Sequence, residues 1–175
     1  MNTDAAYTLG SLPDRNERGA YSIYCDDVRE EATGKTTIVG VYGEELIVSE
    51  FPALLPNFFI LTTVWTSHSR PYEKLIFRIL LDDAVISEDR FDIVAARKQL
   101  QEVLDARVAV NDSNSRHVVR RIAKFSPFVL EKESVLRVRV ETEDGELRTS
   151  ALKIRSAPPV QVSPDSQPSE ALSSE

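Results

Sequence analysis

Paired aspartates are the residues whose type and spacing first suggest chemistry in this chain. Asp26-Asp27 and Asp82-Asp83 both stand at predicted strand ends. Oxygen-rich loops at one end of a β-sandwich can hold calcium. Aspartates at strand ends more often bind the backbone of their own turn, and ion pairs with Arg29 or Arg90 are a further alternative. The four aspartates are therefore candidate functional residues, and no metal site is assigned.

His68 is the histidine that an enzymatic acid/base set would use if folding carried it to Asp26 and Asp27. It lies in a polar loop, Ser67 to Arg70, where solvation is the simpler expectation. The sequence has no G-x-S-x-G elbow. Gly34-Lys35-Thr36 does not complete a phosphate loop, because Arg29 stands where that loop needs glycine. We predict no catalytic residue, no cofactor and no enzymatic activity.

A second group of candidates is basic: Arg116, Arg120, Arg121 and Lys124. These side chains could meet phosphate or an acidic partner. On a strand that alternates imperfectly, they equally fit a solvated edge that discourages pairing with other strands. The formal charge of the chain is −7, which disfavours general nucleic-acid binding. A protein partner is the preferred prediction.

Cys25 is the single cysteine, so an internal disulfide framework and a multi-cysteine zinc site are excluded. Asp26 and Asp27 beside it disfavour a thiolate, which predicts an inert, buried thiol. No apolar stretch approaches the ~18 residues of a membrane helix, and residues 1 to 10 lack the features of a secretory signal. These observations predict a cytoplasmic protein with no membrane association.

The elements that must position these residues are mostly strands. Tyr21 to Cys25 alternates, with Tyr21, Ile23 and Cys25 on the predicted buried side. Phe58 to Thr66 is apolar on both parities, which predicts a central strand covered on both faces. A turn is predicted at Thr33-Gly34-Lys35 and a hairpin at Asp144-Gly145. Further strands are predicted at 36–42, 46–48, 75–81, 84–87, 117–125, 135–141 and 147–154.

One helix interrupts the strands. Apolar residues recur at helical spacing from Asp92 to Ala106, and Asp92 is its predicted N-cap. Seven to nine short strands with a single helix favour a mainly β fold. We therefore predict a two-sheet antiparallel β-sandwich, immunoglobulin-like, with one helix inserted near residues 92–106.

The ends of the chain differ in composition from its middle. With 175 residues, 42% of them hydrophobic, the chain suits one packed domain with tails. We predict a flexible leader at 1–18, a β-sandwich domain at 19–155 and a disordered acidic tail, rich in proline and serine, at 156–175. The tail contributes −3 and the leader −1, so about −3 remains on the domain.

Two short motifs carry a resemblance. Tyr24-Cys25-Asp26-Asp27-Val28-Arg29, followed by Val39-Gly40-Val41-Tyr42-Gly43, resembles a family of small bacterial proteins of unknown function, with similarity over about residues 21 to 83. The resemblance implies a bacterial source and a compact β-rich domain. It brings no activity, ligand or catalytic residue, but its Cys-Asp-Asp pattern makes Asp26 and Asp27 worth testing.

Three functions follow from these observations. The preferred one is a non-enzymatic module that binds another protein, with the tail acting as a tether. The alternatives are a small-ligand or calcium-binding sandwich, and an enzyme whose acid/His site is assembled by folding. The sequence leaves the oligomeric state open.

Overall fold

The computed structural model describes residues 18–67, 69–96, 98 and 116–158. Within these ranges the chain is mainly β, as predicted, with twelve strands and one helical turn at 93–96. The strands are β1 Gly19–Glu30, β2 Thr36–Tyr42, β3 Glu45–Val48, β4 Ala53–Leu55, β5 Phe58–Ser67, β6 Ile76–Leu81, β7 Ala84–Arg90, β8 Arg116–Phe125, β9 Phe128–Leu130, β10 Ser134–Thr142, β11 Gly145–Arg148 and β12 Leu152–Ser156.

The described strands form three sheets. A four-stranded sheet has the order β2-β1-β5-β8, and a six-stranded sheet has the order β3-β12-β10-β6-β7, with β11 also paired to β10. β4 and β9 form a small third sheet. The pairs are antiparallel except β3 with β12, which is parallel. The prediction of wholly antiparallel sheets is wrong there, because no hairpin imposes a direction on two strands so distant in the chain.

Tight turns hold the hairpins in the predicted places. Gly34 adopts a φ of 80° between β1 and β2, and its N–H donates to the Glu31 carbonyl at 2.8 Å. Gly145 adopts a φ of 126° where β11 begins, directly after the Glu143-Asp144 turn. Both φ values lie in the region that glycine tolerates best. The turn at Thr33-Gly34-Lys35 and the hairpin at Asp144-Gly145 are confirmed.

Within the described ranges, a hydrophobic cluster draws on one face of each of the two larger sheets. β10 shows the alternation most clearly: Leu136, Val138 and Val140 are fully buried, whereas Arg137 and Arg139 point away and are half-buried. Burying each such apolar side chain stabilises the fold by about 1.5–3 kcal/mol. The four-stranded sheet contributes Tyr24, Phe58, Ile60 and Val64 to this cluster.

The face of β1 that packs on this cluster is the opposite of the predicted one. Tyr24 and Ser22 are buried on the core side, and the Tyr24 hydroxyl donates to the Ser150 carbonyl at 2.7 Å. Burial raises the pKa of Tyr24 to about 12. Tyr21 and Cys25 therefore lie on the outer side. The prediction failed because apolar side chains occur on both parities of β1, with Tyr24 on one and Ile23 and Cys25 on the other, so hydrophobic alternation does not identify the core side.

Arg18, directly before β1, joins three parts of the chain. Its side chain is only 7% exposed and forms ion pairs with Glu143, at 2.5 Å, and with Asp144. Its guanidinium also donates to the Thr66 hydroxyl and to the carbonyls of Arg70 and Pro71, at 3.1–3.2 Å. The start of β1, the end of β5 and the β10–β11 hairpin are thereby fixed to one another.

Asp92 caps the helical turn as predicted. Its Oδ1 accepts a hydrogen bond from the Ala95 N–H at 2.9 Å. Most of the helix predicted to Ala106 lies outside the described residues, as do almost all of the predicted leader and tail. Among the described residues, no helix has the length and apolarity needed to cross a membrane.

Candidate interaction surface

Asp26 and Asp27 lie inside β1 rather than at its end, so their predicted placement is wrong. Pairing with β2 continues as far as Glu30 and extends the strand beyond them. As neighbours on a strand they point to opposite faces. Asp26 accepts a hydrogen bond from the Tyr42 hydroxyl, and Asp27 Oδ2 accepts one from Arg29 Nε at 2.6 Å.

The position of Asp26 explains why the two motifs occur together. Cys25 pairs with Val41 and Asp27 pairs with Val39, so Asp26 stands opposite Gly40. Gly40 has a φ of 66°, and a Cβ atom there would lie 1.9 Å from Asp26 Oδ2. The carboxylate therefore occupies the space that the missing side chain leaves. This arrangement gives Asp26 a structural role in holding β1 to β2.

Asp82 and Asp83 form the turn between β6 and β7, as predicted. Asp82 adopts a φ of 53°, and its Oδ1 accepts a hydrogen bond from the Val135 N–H at 2.9 Å. Its own N–H donates to the Val135 carbonyl at 2.8 Å. The side chain thus joins the turn to the neighbouring strand β10, and it binds that strand's backbone rather than its own turn.

The structure does not assemble the predicted candidates into a catalytic or metal centre. Asp26 and Asp27 diverge, Asp82-Asp83 belongs to the other sheet, and His68 lies outside the described residues. Among the residues described, no group of three or more histidine, cysteine, aspartate or glutamate side chains is placed to hold a metal ion. Asp26, Asp27 and Asp82 are individually engaged in hydrogen bonds of the fold.

Cys25 is a buried thiol, as predicted. It is fully inaccessible, and its Sγ lies 3.9 Å from the Phe59 carbonyl oxygen. Burial, reinforced by the negative charge of Asp26, raises the pKa of the Cys25 thiol. A thiol that is both inaccessible and protonated is a poor nucleophile.

The basic candidates lie on β8, which is an edge strand of the four-stranded sheet. Arg116, Arg120 and Lys124 share one face with Val118 and Ile122, and all five side chains are exposed. The face therefore alternates strictly between basic and apolar residues. We call these five residues the β8 row.

Arg121 does not belong to the β8 row, which resolves the imperfect alternation of the sequence. It points to the core side, where its Nε donates to Asp89 Oδ2 at 2.6 Å. Asp89 belongs to β7, at the edge of the six-stranded sheet. The pair therefore joins the edges of the two sheets, and its guanidinium also lies over the Phe91 ring, 5.9 Å from the centroid.

The cations of the β8 row have no acidic partner in the described ranges. Arg116, Arg120 and Lys124 form no ion pair there, whereas Lys124 Nζ lies over the Phe59 ring at 5.5 Å. Three positive charges thus stand in solvent, separated by exposed Val118 and Ile122.

The β8 row forms one edge of a broad apolar face, which the sequence analysis does not predict. The outer face of the four-stranded sheet crosses all four strands, as in the aligned positions Val41, Cys25, Phe59 and Lys124. Its centre is buried, but five large apolar side chains at its periphery are 37–59% exposed. They are Tyr21, Val39, Val41, Val118 and Ile122. We call this surface the outer apolar face.

The outer face of the six-stranded sheet is built differently. Arg78 bonds both Glu88, at 2.8 Å, and Glu141, at 2.5 Å, and Lys74 also reaches Glu141. These bonds lower the pKa of Glu88 and of Glu141. Further pairs join Arg139 and Arg148 to Glu146, and Arg155 to Glu45. Most cations of that face are paired with acids, with exposed Lys153 as an exception in the described ranges, whereas none of the three cations of the β8 row is paired there.

A small cavity opens between the two sheets beside the Arg121–Asp89 pair. Its volume is about 200 Å³. Apolar side chains of both sheets, including Ile60, Phe77 and Val138, line its inner part. Arg121 and Asp89 are also among the lining residues, and they already bind each other.

Two signals in the sequence pointed to the outer apolar face. Phe58 to Thr66 is apolar on both parities, and its burial on both faces is confirmed. The even positions of residues 116–124 alternate between basic and β-branched types. Neither signal reveals which strands are neighbours, so the outer apolar face can be recognised only once the pairing of the four strands is known.

Comparison with known proteins gives one family. The model of a family described as "Family of unknown function (DUF6941)" matches residues 20–155. No curated protein matches the chain.

Proposed function

The chain belongs to DUF6941, a family of unknown function, and from its own surfaces we propose that it is a non-enzymatic module that binds another protein through the outer apolar face. The contrast between the two outer faces carries the proposal. One carries a network of ion pairs and exposes Ile47 on its edge strand, and the other exposes five large apolar side chains, Tyr21, Val39, Val41, Val118 and Ile122. Exposed apolar side chains on one face of a sheet, bordered by charged residues, are the kind of surface that a protein partner covers.

The absence of an assembled site among the described residues is consistent with binding rather than catalysis. Asp26, Asp27 and Asp82 are engaged in hydrogen bonds that hold strands together. The buried, unpaired thiol of Cys25 suits a reducing compartment, so we place the interaction in the cytoplasm. For the architecture, the shared core cluster and the Arg121–Asp89 pair support two sheets stacked as a sandwich.

Affinity capture with matched surface variants tests the proposal. The full-length protein is immobilised and exposed to a lysate of its source organism, alongside Val41→Asp and the control Ile47→Asp. Val41 and Ile47 are 59% and 60% exposed, on opposite outer faces. We expect a specific protein to be retained by the wild type and by Ile47→Asp, and to be lost from Val41→Asp.

Two results would contradict the proposal. One is a partner retained equally by Val41→Asp and the wild type, which would place binding elsewhere. The other is the recovery of no specific partner by the full-length protein or by a version ending at Arg155. Thermal unfolding of each variant shows that it is folded before capture.

The cavity beside Arg121 favours a second candidate function, the binding of a small amphipathic anion. Its volume of about 200 Å³ lies below the ~300–1,000 Å³ of typical ligand sites. Arg121 is also neutralised by Asp89, so an anion would have to displace an existing ion pair. Thermal-shift screening with short-chain carboxylates tests this candidate, and an unchanged melting temperature rejects it.

A further inference from the structure

Resting on the proposed function, we propose that the partner contributes an extended acidic segment that adds as a strand alongside β8. Its carboxylates would face Arg116, Arg120 and Lys124, and its apolar side chains would face Val118 and Ile122. Strand addition gives affinity through backbone hydrogen bonds and specificity through alternate side chains. β8 offers both, since in the described part of the chain it pairs only with β5.

The spacing of the β8 row selects an extended partner. Strand residues rise by about 3.3 Å each, so Arg116, Arg120 and Lys124 repeat every ~13 Å. An added strand has the same rise, and acids at every fourth position meet all three cations in register. A helix rises ~1.5 Å per residue, so the ~13 Å between two cations corresponds to about nine helical residues, or two and a half turns. An acid placed at that distance along a helix would therefore point away from β8.

Charge also excludes a second copy of β8 as the occupant. Antiparallel self-pairing centred on Arg120 would set Arg120 against its symmetry mate and Arg116 against Lys124. Like charges directly opposite each other on paired strands are destabilising. An acidic segment turns the same positions into favourable pairs.

Protection of the edge does not fully account for the β8 row. Lysines and arginines commonly discourage pairing at sheet edges. Val118 and Ile122 are nevertheless 52% and 37% exposed, and β-branched side chains favour strand pairing. A purely protective edge gains nothing from them, whereas a binding edge uses them for contact.

A peptide assay tests the proposal directly on the full-length protein. The labelled peptide has the order Asp-Thr-Val-Thr-Asp-Thr-Val-Thr-Asp. One control has the same composition with its three aspartates adjacent, and another replaces aspartate with lysine. Fluorescence anisotropy should show the alternating peptide binding at least about fivefold more tightly than the scrambled one. Equal binding of the two acidic peptides would overturn the register argument.

Charge reversal locates the site. Arg120→Glu should weaken binding of the acidic peptide about fivefold and create binding of the lysine peptide. Lys153→Glu is the matched control, because Lys153 is an exposed cation on the other sheet, and it should change neither. Equal loss in both variants would show attraction by overall charge alone. A single-stranded oligonucleotide that displaces the peptide from β8 would instead identify nucleic acid as the ligand.

The two proposals fail in different ways. Val41 lies three strands from β8, so Val41→Asp should abolish capture of the partner and leave peptide binding unchanged. If Val41→Asp loses the captured protein but no peptide binds, the strand-addition proposal is wrong and the protein-binding function stands. If Val41→Asp captures the same protein as the wild type, the proposed function is wrong.

Discussion

Replacing Arg18 with alanine should destabilise the protein more than any exposed charge substitution. The side chain is 7% exposed and contacts two carboxylates, a hydroxyl and two carbonyls. It also lies over the Tyr72 ring at 4.7 Å. Alanine would leave these acceptors without their common donor, and Glu143 would keep its negative charge in a partly buried site.

The size of the effect follows from this geometry. Removing one partner of a buried ion pair costs about 3–5 kcal/mol. Glu143 is 24% exposed and Asp144 is 41% exposed, so water takes over part of the lost bonding. We therefore expect a loss of about 2–4 kcal/mol. Arg18→Lys keeps the charge but not the five-donor fork, and it should recover only part of this loss.

Urea unfolding followed by the fluorescence of Trp65, the single tryptophan, measures the change. Arg29→Ala is the control, because Arg29 forms an ion pair at 2.6 Å with Asp27 while 71% exposed. That substitution should cost less than about 1 kcal/mol. A loss below about 1 kcal/mol for Arg18→Ala, or equal losses for both variants, would refute the assignment of Arg18 as a structural junction.

Three further predictions concern single residues. Gly40→Ala should lower the unfolding free energy, measured by urea unfolding, by about 1–3 kcal/mol, because Gly40 has a φ of 66° and contacts Asp26. Gly43→Ala is the control and should lower it much less, since the space around a Cβ atom at Gly43 is open. Equal losses in the two variants would argue against the fit of Asp26 to Gly40. Burial opposes ionisation of Glu143, but N–H donors and Arg18 hold its pKa below the ordinary 4.5. Its contribution to stability is therefore present above pH 4.5 and is lost as the pH falls through the lowered pKa. The unfolding free energy of Glu143→Gln should consequently fall less steeply in acid than that of the wild type, and an unchanged slope would contradict this. Cys25 should react with a thiol reagent at least about 100-fold more slowly in the folded protein than in urea, and fast labelling of the folded protein would show that its surroundings open.

The sequence predicted strands well where composition and turns agreed. β2 matches its predicted bounds because a run rich in β-branched residues lies between Lys35 and Gly43. Both predicted turns are found at glycines with positive φ, Gly34 and Gly145. β1 is longer than predicted, since Asp26 to Glu30 is mostly polar and continues the strand by pairing with β2. Such pairing is a tertiary property, and propensity does not encode it.

The candidate site was predicted only in part. Arg116, Arg120 and Lys124 were identified from composition, and the structure places them together on one exposed face. The sequence does not reveal the apolar half of the surface, because the alternation of β1 predicts that Tyr21 and Cys25 face the core. Strand order decides which of two apolar faces meets the other sheet, and that order depends on contacts between residues far apart in the chain.

The two-sided apolarity of β1 and β5 has a consequence for folding. A slip of one residue normally exposes the whole hydrophobic set of a strand, and that penalty enforces correct pairing. Here a slipped pairing would bury nearly as much apolar surface, so other contacts must reject it. The fit of Gly19 against Trp65, the Ser22–Thr62 hydrogen bond and the Asp26–Gly40 contact each exist in one alignment alone. Removing them should favour misaligned, aggregation-prone chains during refolding, even where the native state loses little stability.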